Sequence, residues 1–282
     1  MAATIADCLS RAKDLQPFSD TWRLDGELLL AEAMACSRTA LLTHPQQELS
    51  AQQESRFNDL LARRLKGEPV AYLLGHREFW SLDLQVNAAV LIPRPETELL
   101  VELALNIVAE AGSTAPVIVD LGTGSGAIAL ALASELPAAR VWGVDNSAAA
   151  LAVAIGNADR LGLQRVQWVL SDWFAGLGDR TFNLIVSNPP YIASQDPHLL
   201  EGDLRFEPQQ ALVSAGDGLQ DIRRLIDQGR THLCPGGWLL LEHGWQQGEA
   251  VRDLLRDAGY DKVAGRRDLA GLDRVSYGHY DP

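Results

Sequence analysis

Two periodicities divide this chain. Up to about residue 77, apolar residues recur at helical spacing, with no alternation of strand and helix. Leu24, Leu28, Leu29, Ala31 and Ala35 supply one apolar helical face. A later helix opens at Ser50-Ala51-Gln52-Gln53, a capping-box pattern, and runs through Leu60-Leu61 to Leu65 before Gly67 and Pro69 stop it. With no obvious catalytic groups, residues 1–77 read as a helical domain for recognition or packing. Phe79-Trp80-Ser81-Leu82-Asp83-Leu84-Gln85-Val86 reads as a short β-hairpin, which places a linker over 78–93. Pro93-Arg94-Pro95-Glu96-Thr97-Glu98 then opens a helix, with proline suited to its first turn and acids favouring its dipole. Arg94 and Glu96 suit either a loop held over a ligand or a structural ion pair.

From Pro116 the pattern changes to alternating strands and helices, with strands expected near 117–121, 140–145, 165–171, 182–187 and 237–242, and weaker ones near 261–267 and 273–280. That is the doubly wound α/β pattern, and it assigns 94–282 to a second domain in which ligands sit at strand C-termini. Residues 192–215 interrupt the alternation, and so long an irregular stretch suits a lid or binding loop.

Two such strand ends carry candidate chemistry. Val117-Ile118-Val119-Asp120-Leu121 runs into Gly122-Thr123-Gly124-Ser125-Gly126 and then an Ala/Leu-rich helix. Alternate glycines let the backbone approach a ligand and leave N–H groups at a helix N-terminus. The spacing is neither the dinucleotide pattern nor a phosphate loop. Asp145 closes the next strand, where an acid holds ribose hydroxyls and repels phosphate. Together these predict an adenosine ligand without pyrophosphate, with Asp120 available to face an ammonium group. Asp172-Trp173, after the third strand, suits contact with adenine, although Trp173 is also a natural core residue.

The fourth strand ends at Asn188-Pro189-Pro190-Tyr191. Two prolines fix φ and remove two backbone donors, which frees nearby carbonyls to accept bonds. An Asn oxygen adds an acceptor and a Tyr ring adds a flat face. That set fits a planar NH2 group, whose nitrogen is a poor nucleophile because its lone pair is delocalised. Orienting such a group contributes roughly 7–11 kcal/mol in well-ordered systems. The bland alternative is an ordinary strand-to-loop turn.

Composition narrows the partners. The 282 residues are 47% hydrophobic, enough for two domains with a real core. No window approaches a membrane span, and the start of the chain lacks the features of a secretory signal, so the cytoplasm is the expected location. Cys8, Cys36 and Cys234 have no metal or redox spacing, and the six histidines show no ligand-like pairing. The net charge of −13 disfavours unaided binding to duplex nucleic acid, and neither half is basic: nine basic against twelve acidic residues through Asp83, fifteen against twenty-five beyond. A local patch at Arg63-Arg64-Lys66 reads equally as a solvated helix face.

The glycine bend, Asp145 and the proline corner, in that order, resemble the class I S-adenosylmethionine-dependent methyltransferases. With Gly67-Glu68-Pro69-Val70-Ala71-Tyr72-Leu73-Leu74-Gly75, Glu78-Phe79-Trp80, Leu91 to Glu98, Phe206-Glu207-Pro208, Asp217-Gly218 and Asp268-Leu269-Ala270-Gly271 added, the chain resembles, over essentially its whole length, the bacterial peptide chain release factor glutamine methyltransferases. Ser125 stands where many relatives carry Thr, a change that keeps the hydroxyl.

The resemblance implies a seven-stranded methyltransferase sheet behind a helical-bundle domain that helps to grip the substrate. It implies methylation of the glutamine side-chain amide in the Gly-Gly-Gln motif of class 1 release factors, with S-adenosylhomocysteine as the product. It further implies cofactor contacts from Gly122, Thr123, Gly124, Ser125, Gly126, Asp145, Trp173 and Asn188. Glutamine binding falls to Asn188, Pro189, Pro190 and Tyr191, with Asn188, Pro189 and Tyr191 as the catalytic set. A monomer that binds no nucleic acid directly and no metal is expected. The rivals are a nucleic-acid amino-group methyltransferase acting on adenine or cytosine, a glutamine methyltransferase of another translation protein, and an adenosyl-ligand sensor without turnover. An intact Asn188-Pro189-Pro190-Tyr191 argues against the last, because a sensor has no use for amide acceptors.

Overall fold

The computed structural model describes residues 2–200 and 202–281. Contacts divide the chain into two compact units, Met1–His76 with Leu200–Phe206, and Arg77–Leu199 with Glu207–Pro282.

The first unit is helical, with helices Ile5–Arg11, Trp22–Met34, Arg38–Thr43, Ala51–Leu65 and Val70–Leu74 around Ile5, Leu15, Leu29, Leu30, Leu41 and Phe57. The expected capping box forms: the Ser50 side chain accepts from Gln53 N, while the Gln53 side chain accepts from Ser50 N. The expected apolar face of Trp22–Met34 is rotated. Leu24 is exposed and Ala35 is a left-handed C-cap, whereas Asp25 and Glu27 are buried beside Leu29 and Leu30. Both acids have partners that make burial tolerable. Asp25 accepts from Ser19 Oγ, Thr21 Oγ1 and Arg64 Nε, each at 2.9 Å. Glu27 pairs with Arg38 and Arg23. Arg64 also donates to Asp203 at 2.9 Å, and Arg205 donates to the Lys66 carbonyl at 2.9 Å, so part of the interrupted segment belongs to this unit.

The expected hairpin, strands β1 (His76–Phe79) and β2 (Leu82–Gln85), lies at the start of the second unit apart from its first residue. It is bonded into the α/β body: Glu98 accepts from Trp80 N at 2.8 Å, and Asn157 exchanges bonds with both Gln85 N and Gln85 O. The remaining strands are β3 (Val117–Leu121), β4 (Arg140–Asp145), β5 (Gln167–Leu170), β6 (Phe182–Ser187), β7 (Ile192–Ala193), β8 (Val213–Ser214), β9 (Leu233–Glu242), β10 (Asp261–Arg267) and β11 (Asp273–Tyr280). Seven of them form one sheet in the order β10-β11-β9-β6-β3-β4-β5. Strands β9, β6, β3, β4 and β5 run parallel, while β11 is antiparallel to both β9 and β10.

Alternation along the strands feeds two cores, one on each face. Ile118, Leu184, Val186 and Leu240 pack with helices Glu98–Glu110 and Ala127–Glu135. Val119, Leu121, Ile185, Leu239 and Leu241 pack with Gln220–His232 and Gly248–Asp257. The chain leaves β3 toward β4 and β5, then crosses back to β6 on the other side. The C-terminal ends of β3 and β6 therefore form the switch point at which such sheets bind ligands. Among the described residues no helix is long and apolar enough to cross a membrane.

Candidate active site

The bend after β3 is built by positive φ values at Gly122 (74°), Gly124 (56°) and Gly126 (84°), a conformation that side chains with a Cβ rarely adopt. It satisfies most of its own donors. Gly122 N and Thr123 N donate to Val144 O at 2.9 Å, Gly124 N donates to Asp145 Oδ2 at 2.9 Å, and Gly126 N donates to Thr123 O at 2.8 Å. With most of its own amides bonded within the protein, the bend offers bare glycine surface, which suits an uncharged nucleoside better than a phosphate.

Asp120 supports the bend through one of its two oxygens. It is wholly buried, and its Oδ2 accepts from Thr123 Oγ1 at 2.5 Å and Ala129 N at 3.2 Å. Burial pushes its carboxyl up to about 7. Oδ2 thus braces the bend from inside, while Oδ1 has no hydrogen-bond partner among the described residues.

Asp145 is held at both oxygens. Oδ2 accepts from Gly124 N and Oδ1 from Ser147 N, both at 2.9 Å. Burial raises its pKa, and these backbone N–H groups oppose that rise. Each oxygen keeps a lone pair for a ligand hydroxyl, the acceptor set that a ribose diol needs. Trp173 takes a left-handed φ of 50°, and a Cβ on Gly122 would lie 3.4 Å from its ring. The Ser171 hydroxyl fixes this turn, donating to Trp173 O at 3.0 Å and accepting from Gly176 N at 2.7 Å. Asp172 points elsewhere, in a two-bonded pair with Arg224.

The proline corner follows β6, whose last residue, Ser187, ties it to the glycine bend's strand by donating to Leu121 O at 2.6 Å. Pro189 is buried, while Asn188, Pro190 and Tyr191 are half-buried. The Asn188 Nδ2 donates to Thr97 Oγ1 at 3.2 Å. Gln247 holds the far end of the corner, donating to Tyr191 O at 3.0 Å and accepting from Gly244 N at 2.8 Å. Burial, and secondarily the Glu242 charge, keep the Tyr191 phenol above its usual range. His243, next along the chain, is wholly buried against Ser276 Oγ at 2.8 Å and is a structural residue.

Gly122, Gly124, Asp145, Trp173, Asn188 and Pro190 line one cleft. The Thr123 and Ser125 side chains are buried, and Gly126 is packed under Leu130, Trp168 and Ala154. Neither these three nor Pro189 and Tyr191 belong to the lining. The lining also includes Ala89, Val90 and Leu91 after the hairpin, Asn146 and Ser147 after β4, and Pro208, Gln210 and Ala211. Sequence reasoning did not single these out as ligand contacts; the interrupted alternation at 192–215 was the signal for the last three. Arg94 forms its ion pair with the buried Glu207 at 2.7 Å, not with Glu96, and so anchors the stretch that leads into Pro208.

Comparison with known proteins agrees with this layout. Residues 7–75 match the family model described as the PrmC N-terminal domain, and residues 97–256 match the methyltransferase small domain. The chain is 51% identical to the release factor glutamine methyltransferase of Salmonella typhimurium, covering 94% of each chain. It is 50% identical to the protein of that name from Vibrio cholerae, covering 99% of this chain and 98% of the relative. A methyltransferase structure from Pyrococcus furiosus superposes with a TM-score of 0.52 at 16% identity, covering 80% of this chain and 100% of that one, a likeness of fold alone. The chain belongs to the release factor glutamine methyltransferase family.

Proposed function

We propose that the protein transfers a methyl group from S-adenosylmethionine to the side-chain amide nitrogen, N5, of the glutamine in the Gly-Gly-Gln motif of class 1 release factors. Family membership supports this reading. The observation that carries it is that Asn188 and Pro190 share one cleft with Gly122, Gly124, Asp145 and Trp173, so an amide-bearing side chain of the proline corner and a nucleoside seat open into the same space.

Asp145 holds the ribose hydroxyls, the glycine bend lies against the nucleoside, and Trp173 contributes apolar surface. When bound, S-adenosylmethionine would supply a methyl carbon made electrophilic by its sulfonium charge, leaving S-adenosylhomocysteine, and the proton released from the amide nitrogen passes to water. Asn188 Oδ1 and the Pro189 carbonyl accept from the glutamine NH2, and Tyr191 packs against the amide plane. Two acceptors on the N–H bonds favour the geometry in which the nitrogen lone pair points at the methyl carbon. Most of the rate enhancement then comes from orientation.

Residues 1–77 serve as the substrate-recognition domain, 78–93 as the linker and 94–282 as the catalytic domain. The protein acts as a monomer in the cytoplasm, where translation factors are found, and its net charge of −13 favours a protein substrate over nucleic acid.

The test is incubation of purified protein with a release factor and S-adenosylmethionine, followed by mass mapping. One methyl on the Gly-Gly-Gln glutamine is expected. Methylation of DNA or RNA with an unmodified release factor would transfer the reading to the amino-group rival. Asn188→Ala should lower kcat by about 10²-fold with little change in cofactor affinity. Normal methylation by that variant would remove Asn188 from its role.

A further inference from the structure

Asn188 is held from behind by residues to which neither the glycine bend nor the proline corner gives a role. Thr97, which accepts from Asn188 Nδ2 at 3.2 Å, is only 4% exposed and ends the turn Pro95–Thr97. A hydroxyl that accepts one bond still has its own proton to donate. The group beside it is the carboxylate of Glu242, the last residue of β9, which interacts with both the Thr97 and the Asn188 side chains. Glu242 is 2% exposed, and its Oε2 has no hydrogen-bond partner among the described residues. Leu239, Leu240 and Leu241 precede it and pack well, so an apolar residue here would serve the core better. A buried carboxylate at this strand end therefore calls for a use.

We infer that Glu242 and Thr97 are positioning residues that fix the Asn188 amide with its NH2 turned toward them and its Oδ1 turned into the cleft, so that the site selects substrates that donate from an NH2 group. A carboxamide has nearly the same shape either way round, so packing alone does not choose its orientation. A one-sided partner does: Thr97 Oγ1 accepts from Asn188 Nδ2, and a carboxyl oxygen of Glu242 that carries no proton can only accept, whether or not the other oxygen is protonated. With the amide reversed, Asn188 would present its own NH2 to the NH2 of the substrate. Donor would face donor, and neither would be satisfied. The inference explains why Thr97, in a segment that otherwise reads as a helix start, is buried at the back of the corner. It rests on the reading of Asn188 as an acceptor for the glutamine amide.

Steady-state kinetics of Thr97→Val, Thr97→Ser and Glu242→Met, with release factor and S-adenosylmethionine, test it alongside S-adenosylhomocysteine binding by calorimetry. Val and Met should each lower kcat by about 10²-fold while product affinity stays within about threefold, and Ser should restore kcat to within about threefold of the parent. The inference is overturned if Val leaves kcat within threefold of the parent, if Ser is as impaired as Val, or if affinity falls in step with kcat. Should Glu242→Met fail to fold, the Val and Ser pair decides alone. A parent protein that does not methylate glutamine defeats the proposed function itself. An active parent with an unaffected Val variant defeats only this inference.

Discussion

Asp145 is the residue at which a conservative substitution should fail most informatively. Its two oxygens each accept one backbone N–H at 2.9 Å, from Gly124 and Ser147. What remains on each oxygen is one acceptor position for a ribose hydroxyl. Hydrogen bonds to a charged group contribute about 1.5–3 kcal/mol each, so two place about 3–6 kcal/mol on this side chain. At about 1.4 kcal/mol per decade, Asp145→Ala should weaken S-adenosylmethionine binding by about 10²- to 10⁴-fold. Asp145→Asn would ordinarily keep one good acceptor. Here its NH2 must face one of the two backbone N–H groups, donor against donor, at the bend that forms the nucleoside seat. Asn should therefore bind nearly as poorly as Ala. Isothermal titration calorimetry measures the affinities, and thermal melting verifies that both variants fold. An Asn variant within about threefold of the parent would refute the argument that both oxygens are committed to the backbone.

Two further outcomes follow from the geometry. Gly218→Ala places a Cβ 2.5 Å from Tyr191 O and 3.1 Å from Gln247 Nε2 at a φ of +84°. It should break the Gln247–Tyr191 bond and cost about 1–3 kcal/mol, visible as a Tm lower by about 2–12 °C together with reduced turnover; an unchanged melting curve would contradict it. Burial pushes both Asp120 and Glu242 up to about 7, against ordinary values of 3.8 and 4.5, with Arg274 favouring and Glu96 opposing the charge on Glu242. Each group binds its proton more tightly when folded, so its contribution to stability is fully present below the unfolded pKa and is lost as pH rises through about 7. Asp120→Asn keeps an oxygen for Thr123 and Ala129 and removes one of the two charges. Its denaturant-unfolding free energy should fall less between pH 5 and 8 than that of the parent, and an identical slope would refute the assignment.

Much of the architecture was legible in the sequence because it rests on short-range physics. The Ser50–Gln53 capping box, the hairpin near Phe79 and Leu82, and the strand–bend–helix run through Gly122 to Gly126 are each decided within a few residues. Hydrophobic alternation likewise announced the strands that carry Asp145 and Asn188 to their C-terminal ends. Sequence periodicity misplaced the buried face of Trp22–Met34, because hydropathy does not register that Asp25 and Glu27 become tolerable in the interior once arginines reach them. Nor does periodicity show that Asp120 Oδ2 braces the bend through Thr123 and Ala129.

The residue types and spacings, then, determined which groups have the chemistry to hold a nucleoside and an NH2 group. Tertiary structure alone decided the order of the seven strands, the use of the bend's own N–H groups, and the meeting of Thr97, Asn188 and Glu242 from three distant parts of the chain. The physical reason is that local periodicity fixes the direction of each side chain on its own element. Only the packing of one element against another selects which partner it meets.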